Sequence, residues 1–358
     1  MSHKTTRSVV NAVTVGNRSG RCLARAGLTK MLLVHKEVQA MRLETSDVVG
    51  GTQAQVTRRR FLRGSATMAV AAAGATMVPS SVAAADDWRS RSSAWVDVDR
   101  GVRLRVTDWG SGKPIVMVHG WPSSHRIFER QLLGLASRGY RAIGIDLRGF
   151  GESDTPWDGN DYDTWARDLG AVIGSLGLRD VTLVGYSMGG AISAHYLATA
   201  RHSRVRRLVL VAAALPRLIW SEDNPNGMPL EMFEGMLQGI LADRSGFFAA
   251  FTPSMFHRPV SDAYAGWFNT IVTSGSLRAT IRGLEEARDR DLREELTGID
   301  VATTIIHGVH DQVVPFAFAE QQQRLIVGST LVPFEDSGHG LFADEADRLT
   351  NELARIAG

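Results

Sequence analysis

The segment from Val181 to Gly190, which reads VTLVGYSMGG, constrains the fold of this chain more than any other. Its first half is a β-branched, apolar run typical of a buried strand, and a segment with helical spacing follows it. Between them stands Gly185-x-Ser187-x-Gly189. A strand-to-helix turn this sharp strains the backbone of the serine and requires small residues two positions before and after it. The pattern predicts that the Ser187 hydroxyl is lifted clear of a sheet; the flanking strand and helix disfavour the alternative of a glycine-rich packing turn.

The chain around this segment alternates between short apolar runs and longer segments of helical spacing. The predicted strands are Arg103–Trp109, Ile115–His119, Arg141–Ile145, Val181–Val184, Leu208–Ala212, Thr304–His307 and Thr330–Pro333. The predicted helices are Ser124–Ser137, Asp163–Leu176, Met188–Ala200 and Phe316–Leu325. Strand-helix-strand alternation predicts an α/β fold with a mostly parallel sheet that helices cover on both faces.

The alternation breaks between about residues 216 and 299. This segment is rich in Met, Phe, Trp and Gly, and it has helical spacing but no clear strand. It predicts a helical insertion, or lid, over one end of the sheet. The aromatic and Met side chains favour a small apolar pocket, or simple packing between lid helices, and both interpretations stay open.

A serine hydroxyl is a weak nucleophile and needs a base that an acid orients. When the serine lies at this kind of turn, the acid and then the histidine follow it along the chain. Asp311 comes after Thr304–His307 and His339 comes after Thr330–Pro333. Both therefore follow strand C-terminal ends, where open α/β sheets place their sites. We expect Ser187 to be the nucleophile, His339 the base and Asp311 the orienting acid.

Other titratable residues compete for these roles. Asp336 is a rival acid, but it lies three residues before His339 on the same loop, and chain order favours Asp311. His307 and His310 flank Asp311 and could suggest a metal, yet this spacing is not a usual zinc spacing, so we expect no metal. Three further histidines are interpreted as surface or packing residues: His195, His202 and His257.

Acyl transfer creates a negative oxygen that needs preorganised hydrogen-bond donors. The backbone N–H of Met188, directly after the nucleophile, is one candidate. The other should come from the loop after the strand at Ile115, which reads His119-Gly-Trp-Pro122. Because proline has no N–H, this register favours Trp121. The Trp121 side chain could equally be a core aromatic, or serve in both ways.

Charge is divided unevenly along the chain. Residues 1–85 carry 12 Lys and Arg against 3 Asp and Glu, which leaves 28 basic and 35 acidic groups in the remaining 273 residues. A basic protein can bind nucleic acid, but here the basic excess is confined to one N-terminal segment. We therefore expect no nucleic-acid partner.

A hydrophobic fraction of 44% with 22% charged residues excludes a disordered chain or a coiled coil.

Residues 57–85 have the composition of a targeting segment. Consecutive arginines, Arg58 and Arg59 among them, precede a weakly apolar, Ala-rich run, and small residues at Ala83 and Ala85 fit a signal-peptidase site. The segment resembles a twin-arginine export signal, which implies a periplasmic or extracellular protein in a bacterium. The run is too short and too rich in Gly, Ala and Thr to cross a bilayer, which takes about 20 apolar residues. We expect no membrane span in the mature chain, residues 86–358.

Residues 1–56 precede this signal and show no clear periodicity. Two interpretations stay open: the segment is an unstructured extension, or translation begins at Met41 and residues 1–40 are not made. The single cysteine of the chain, Cys22, lies here. Cleavage after residue 85 would leave no cysteine, which excludes a disulfide framework and a Cys-based zinc site in the mature chain.

From about Val98 to Ala357 the chain resembles the α/β-hydrolase family, and within it the cofactor-free, non-haem chloroperoxidase group of bacterial perhydrolases and esterases. The motifs that carry the resemblance are His119–Pro122, Asp146–Asp154, Gly185–Gly190, His307–Pro315 and Ser337–Gly340, with Pro156–Asn160 and Asn224–Pro229 outside the catalytic motifs. The resemblance implies an α/β-hydrolase domain over residues 86–358 with a helical lid at about 216–299.

The resemblance also implies a chemistry. Members of the group hydrolyse small esters without metal, haem or other cofactor. With hydrogen peroxide and a short carboxylic acid they form peracids, which oxidise halide in solution. The catalytic residues carried over are Ser187, Asp311 and His339, with the Trp121 and Met188 N–H groups as oxyanion hole. The proline after the oxyanion residue, here Pro122, is associated with the peroxide activity.

We therefore expect a serine hydrolase that forms an acyl-serine intermediate and has perhydrolase activity. A plain carboxylesterase differs only in the second nucleophile. A non-catalytic binding protein on the same fold is the remote alternative, which the complete set of three catalytic residue types disfavours. Dehalogenases and many epoxide hydrolases place Asp where this chain has Ser187, so both are disfavoured. The expected partner is a small ester or carboxylic acid.

Overall fold

A computed structural model describes residues 94–200 and 204–358. The extension predicted at residues 1–56 and the export signal predicted at 57–85 lie outside the described residues, as do Cys22 and His202. Within the described residues, no helix is long and apolar enough to cross a membrane.

Strands and helices alternate along most of the described chain. The strands are β1 Ala94–Asp99, β2 Val102–Trp109, β3 Pro114–Val118, β4 Arg141–Ile145, β5 Val181–Tyr186, β6 Val205–Val211, β7 Ala302–Gly308 and β8 Thr330–Phe334. The helices are α1 Glu129–Ala136, α2 Tyr162–Ser175, α3 Met188–Thr199, α4 Leu230–Met255, α5 Asp262–Ser274, α6 Leu277–Asp289, α7 Arg293–Thr297, α8 Ala317–Leu325, α9 Leu341–Asp344 and α10 Ala346–Ala357, with a 3-10 turn at His125–Phe128 before α1.

The strands form one sheet in the order β1-β2-β4-β3-β5-β6-β7-β8. The β1–β2 and β2–β4 pairs are antiparallel, and every later pair is parallel. The predicted fold class, a mostly parallel α/β sheet, is therefore confirmed. Strand β1 was not predicted, because Val96 alone of its six residues is buried and the apolar signal is weak.

The sheet is buried on both faces. Ile115 and Met117 of β3 pack into one apolar cluster, and Val116 and Val118 pack into another. Neighbouring residues of a strand point to opposite faces, so a strand that is apolar at every position belongs between two layers of helices. One layer contributes Trp165, Leu169, Val172 and Ile192 from α2 and α3, and the other contributes Leu132, Leu349 and Leu353 from α1 and α10.

Four helices, α4 to α7, follow one another between β6 and β7 in the range for which the sequence predicts a lid. Helix α4 bends at Asp243, whose backbone (φ −157°, ψ 89°) is not helical. Helices α5 and α6 begin at serine caps, where Ser261 accepts from the Tyr264 N–H and Ser276 accepts from the Ala279 N–H. Each cap satisfies a backbone donor that the helix itself cannot bond, and so fixes where the helix begins.

Two motifs outside the catalytic set prove to hold turns. Asn224 donates its amide to the carbonyl oxygens of Arg217 and Ile219, both at 2.8 Å. Asn160 does the same for Pro156 and Trp157, at 3.2 and 3.1 Å. A buried asparagine that bonds several carbonyls pins a turn in one conformation. These motifs are therefore features of the fold.

His195 is buried between two carboxylates from different elements. Its Nδ1 lies 2.9 Å from Glu295 Oε2, and its Nε2 lies 2.7 Å from Asp163 Oδ1. Carboxylates only accept hydrogen bonds, so the ring bonds both partners only when both nitrogens carry protons and the ring is a cation. The hydrogen bond to Glu295 raises the pKa of His195 against the opposing effect of burial, and Asp163 adds to the rise. Arg290 also faces Asp163, at 2.6 Å.

We expect the stability of the protein to fall as the pH rises through the raised pKa of His195. The protonated ring gains its partners only in the folded state. Its contribution to the free energy of unfolding is therefore complete below the pKa of His195 in the unfolded state, about 6.5. That contribution is lost above the raised pKa of the folded state. Urea unfolding of wild type and His195→Gln between about pH 6 and about pH 9 measures this contribution. A difference between the two proteins that does not shrink with rising pH would contradict the proposed charge.

Candidate active site

Ser187 lies at the sharp turn between β5 and α3. Its backbone angles, φ 52° and ψ −121°, fall in a region that residues with a side chain rarely adopt. The flanking glycines allow the close approach of the turn to its surroundings. A Cβ on Gly185 would lie 2.5 Å from the Gly189 carbonyl oxygen, and a Cβ on Gly189 would lie 2.4 Å from the His119 carbonyl oxygen. The spacing Gly-x-Ser-x-Gly is therefore a steric requirement of this turn.

The structure brings together the three side chains expected to act as nucleophile, base and acid. Ser187 Oγ lies 3.0 Å from His339 Nε2, and His339 Nδ1 lies 2.8 Å from Asp311 Oδ2. The three residues follow β5, β8 and β7, at the carboxyl ends of parallel strands. All three are buried, with Ser187 8% exposed. This chain of hydrogen bonds can pass the hydroxyl proton to the imidazole while the carboxylate fixes the ring.

The Asp311 carboxylate is held by donors on both oxygens. Oδ1 accepts from the backbone N–H groups of Val313 and Val314, each at 2.8 Å. Oδ2 faces His339 Nδ1 and also His307 Nε2 at 3.2 Å. Burial raises the pKa of Asp311, but the electrostatic interaction with His339 and hydrogen bonds from both histidines hold it well below its usual range. The acid is therefore ionised throughout the neutral range.

Of the competing residues, Asp336 and His310 lie on the surface, whereas His307 lies against Asp311. Asp336 is exposed and pairs with Arg258 at 3.0 Å. His310 is exposed and stacks on His257, with ring centroids 3.9 Å apart. His307 contacts the acid itself and also bonds the Val314 carbonyl at 2.8 Å. The sequence predicts His307 as the end of a strand and does not indicate its contact with Asp311. Across residues 94–200 and 204–358, no group of three or more His, Cys, Asp or Glu side chains is placed to hold a metal ion.

Known proteins share this architecture. The family model for the alpha/beta hydrolase fold matches residues 113–346. The chain belongs to the α/β-hydrolase family. It is 41% identical over 263 residues to the AB hydrolase superfamily protein YisY of Bacillus subtilis, across 74% of this chain and 98% of that protein. It is 38% identical over 267 residues to a non-heme haloperoxidase of Rhodococcus erythropolis, across 72% of this chain and 97% of that protein.

Solved structures agree with the sequence relatives. An esterase from Exiguobacterium antarcticum superposes with a TM-score of 0.72 at 39% identity, across 74% of this chain and 98% of that one. The predicted membership of the family and of its chloroperoxidase and esterase group is thereby confirmed. This α/β-hydrolase is accordingly an enzyme of the hydrolase class.

The two expected oxyanion donors of this α/β-hydrolase lie beside the nucleophile. Met188 is the first residue of α3, where backbone N–H groups have no partner inside the helix. A Cβ on Gly120 would lie 2.7 Å from Ser187 Cβ, so the loop that carries Trp121 packs directly against the serine. Among the described residues, neither the Trp121 nor the Met188 N–H has a hydrogen-bond acceptor. Both donors are available to a ligand.

The helical insertion of this α/β-hydrolase packs on both of these expected donor residues, Trp121 and Met188. The Trp121 indole N–H donates to the Thr280 carbonyl at 2.6 Å, and the ring lies 5.5 Å from that of Phe248. A Cβ on Gly283 would lie 2.7 Å from Trp121 Cδ1 and 3.3 Å from Met188 Sδ. The Trp121 side chain is thus partly buried, packs against the core and donates a hydrogen bond to the insertion. Thr280 and Gly283 could not be predicted from the sequence as contacts of Trp121, because neither belongs to a motif.

Proposed function

We propose that this α/β-hydrolase cleaves small carboxylic esters through an acyl-serine intermediate, and that hydrogen peroxide can replace water in the second step. The observation that carries the proposal is the chain of hydrogen bonds from Ser187 Oγ through His339 to Asp311, at 3.0 and 2.8 Å. Such a chain turns a weak nucleophile into an active one.

In the first half-reaction, Ser187 Oγ attacks the ester carbonyl carbon and its proton moves to His339 Nε2. The carbonyl electron pair moves onto the oxygen, which the N–H groups of Trp121 and Met188 would bind. Collapse of this intermediate breaks the bond to the alkoxide, which takes the proton from His339. The ionised Asp311 stabilises the positive imidazole while it forms.

In the second half-reaction, His339 takes a proton from water or hydrogen peroxide as that molecule attacks the acyl carbon. The bond to Ser187 Oγ breaks, and the serine regains its proton from His339. Water gives a carboxylic acid and peroxide gives a peracid, which would oxidise halide in solution. The names of similar proteins support both outcomes, since the Rhodococcus relative is named a haloperoxidase and the Exiguobacterium structure an esterase.

Pro122 is the residue on which we base the peroxide step. It is buried directly after Trp121 and restricts the loop that carries the oxyanion donor. Among the described residues, the Trp121 carbonyl oxygen accepts no hydrogen bond. We propose that this carbonyl accepts a hydrogen bond from the distal O–H of an attacking peroxide, a group that water lacks, so that the contact favours peroxide over water.

The test is bromide-dependent halogenation of a dimedone probe in acetate buffer with hydrogen peroxide. Wild type should give signal, Ser187→Ala should give none, and Pro122→Leu should lower the ratio of halogenation to ester hydrolysis. An unchanged ratio in Pro122→Leu would refute the role of the loop. Ester hydrolysis by wild type without halogenation would indicate a plain carboxylesterase. A wild type as inactive as Ser187→Ala on both reactions would indicate a binding protein.

A further inference from the structure

We propose that His119 and Ser123 are positioning residues for the oxyanion hole, because they orient the peptide unit that carries the Trp121 N–H. The inference rests on the proposed acyl-serine mechanism and adds to it the residues that aim one of its donors.

The carbonyl oxygen of Gly120 is bonded by three donors. It accepts from the Ser123 N–H at 3.0 Å, from Ser123 Oγ at 2.9 Å and from His119 Nδ1 at 2.8 Å. Both residues are buried, His119 completely and Ser123 to 3% exposure, so water does not compete for these bonds. A buried carbonyl with three donors is fixed in one direction.

That carbonyl and the Trp121 N–H belong to the same peptide unit. The Gly120–Trp121 bond is trans, and in a planar trans peptide the C=O and the following N–H point in opposite directions. Fixing the oxygen on His119 and Ser123 therefore turns the N–H away from them. The Cα of Gly120 lies against Ser187, and no described group accepts from the Trp121 N–H. The peptide is thus held with its donor free beside the nucleophile.

The His119 ring is itself held in one tautomer. The Leu147 N–H donates to Nε2 at 3.0 Å, so Nε2 is unprotonated. A carbonyl only accepts, so Nδ1 carries the proton that bonds Gly120. Burial lowers the pKa of His119 to about 4, with Asp146 opposing and His125 adding to the effect, and the ring stays neutral in neutral solution. Leu147 follows β4, so the neighbouring strand anchors the donor.

Two amide variants separate the two bonds of this ring. In His119→Asn the side-chain amide can replace Nδ1 as donor to Gly120, but it cannot reach Leu147. In His119→Gln the amide can reach Leu147 but no longer has its donor beside Gly120. A role in aiming the Trp121 N–H predicts that the Asn variant retains more activity than the Gln variant. A role limited to loop stability predicts losses that follow the melting temperature.

The experiment uses the full chain with p-nitrophenyl acetate as substrate and phenylboronic acid as a probe that forms a tetrahedral adduct on serine. Direct oxyanion donors contribute about 10²- to 10³-fold to kcat, so we expect about 10-fold loss in Ser123→Ala and about 10²-fold in His119→Gln. KM should change less than about twofold, because the contact strengthens only as charge develops. Boronate affinity should fall in parallel with kcat.

Ser124→Ala is the matched control, since this buried serine accepts from the Arg126 N–H at 3.4 Å and is not among the donors to the Gly120 carbonyl. Its kcat should equal that of wild type. Ser123→Ala removes only a hydroxyl and keeps the comparison valid if the His119 variants fail to fold. Wild-type kcat and boronate affinity in Ser123→Ala and His119→Gln would overturn this inference alone. A wild type without Ser187-dependent hydrolysis would overturn the proposed function and this inference with it.

Discussion

Replacing Ser187 with alanine is expected to lower kcat for ester hydrolysis by about 10⁴-fold or more, with the fold intact. In the proposed mechanism the loss is large because Ser187, His339 and Asp311 act as a unit, and without the hydroxyl there is no atom for the base to activate. The strained backbone angles at residue 187 are set by the turn, so alanine should retain them. Initial rates on p-nitrophenyl acetate and a thermal melt of both proteins measure the two expectations.

A fluorophosphonate probe provides an independent control for the nucleophile. It should add covalently to wild type at Ser187 and leave Ser187→Ala unmodified, as peptide mass spectrometry would reveal. Adduct formation on a different residue, or a variant that retains the wild-type rate, would show that the turn does not carry the nucleophile. A variant that loses both its rate and its melting transition would instead report on folding.

Much of the fold could be predicted from the sequence because its strands are buried on both faces. Runs such as Ile115–Val118 are apolar at successive positions, which few other local structures require. Strand β1 was missed because its alternate residues face water and Val96 alone is buried. Helix α10 was also missed, although Leu349 and Leu353 lie four residues apart on its buried face. That spacing is a helical signal that the sequence does contain.

At the candidate site, some residues could be predicted from the sequence and others could not. The juxtaposition of Ser187, Asp311 and His339 could be predicted because chain order and strand ends restrict where a base and an acid can lie. The contacts of Thr280 and Gly283 with the Trp121 loop could not. They join residues about 160 positions apart through a backbone carbonyl and a missing side chain, and neither leaves a pattern in the sequence. Tertiary packing alone determines them.

Asp311→Asn is expected to lower kcat by about 10⁴-fold, the second large effect at this site. The carboxylate accepts from Val313 and Val314 on one oxygen and faces two histidines on the other. An amide has one accepting oxygen, so its NH₂ group must face a donor on one side or the other. If it faces His339, the ring is driven to the tautomer in which Nε2 carries the proton and cannot accept one from Ser187. Initial rates with a saturating ester measure the loss.

Asp336→Asn is the matched control, because it makes the same chemical change to the rival acid three residues before His339. That carboxylate is exposed and pairs with an equally exposed Arg258, and surface pairs of this kind contribute about 0–1 kcal/mol to stability. Its kcat should remain within about twofold of wild type. If Asp336→Asn lost activity while Asp311→Asn kept it, the acid would be assigned to the wrong loop. Equal losses would show that the loop as a whole, rather than the Asp311 carboxylate, sets the orientation of His339.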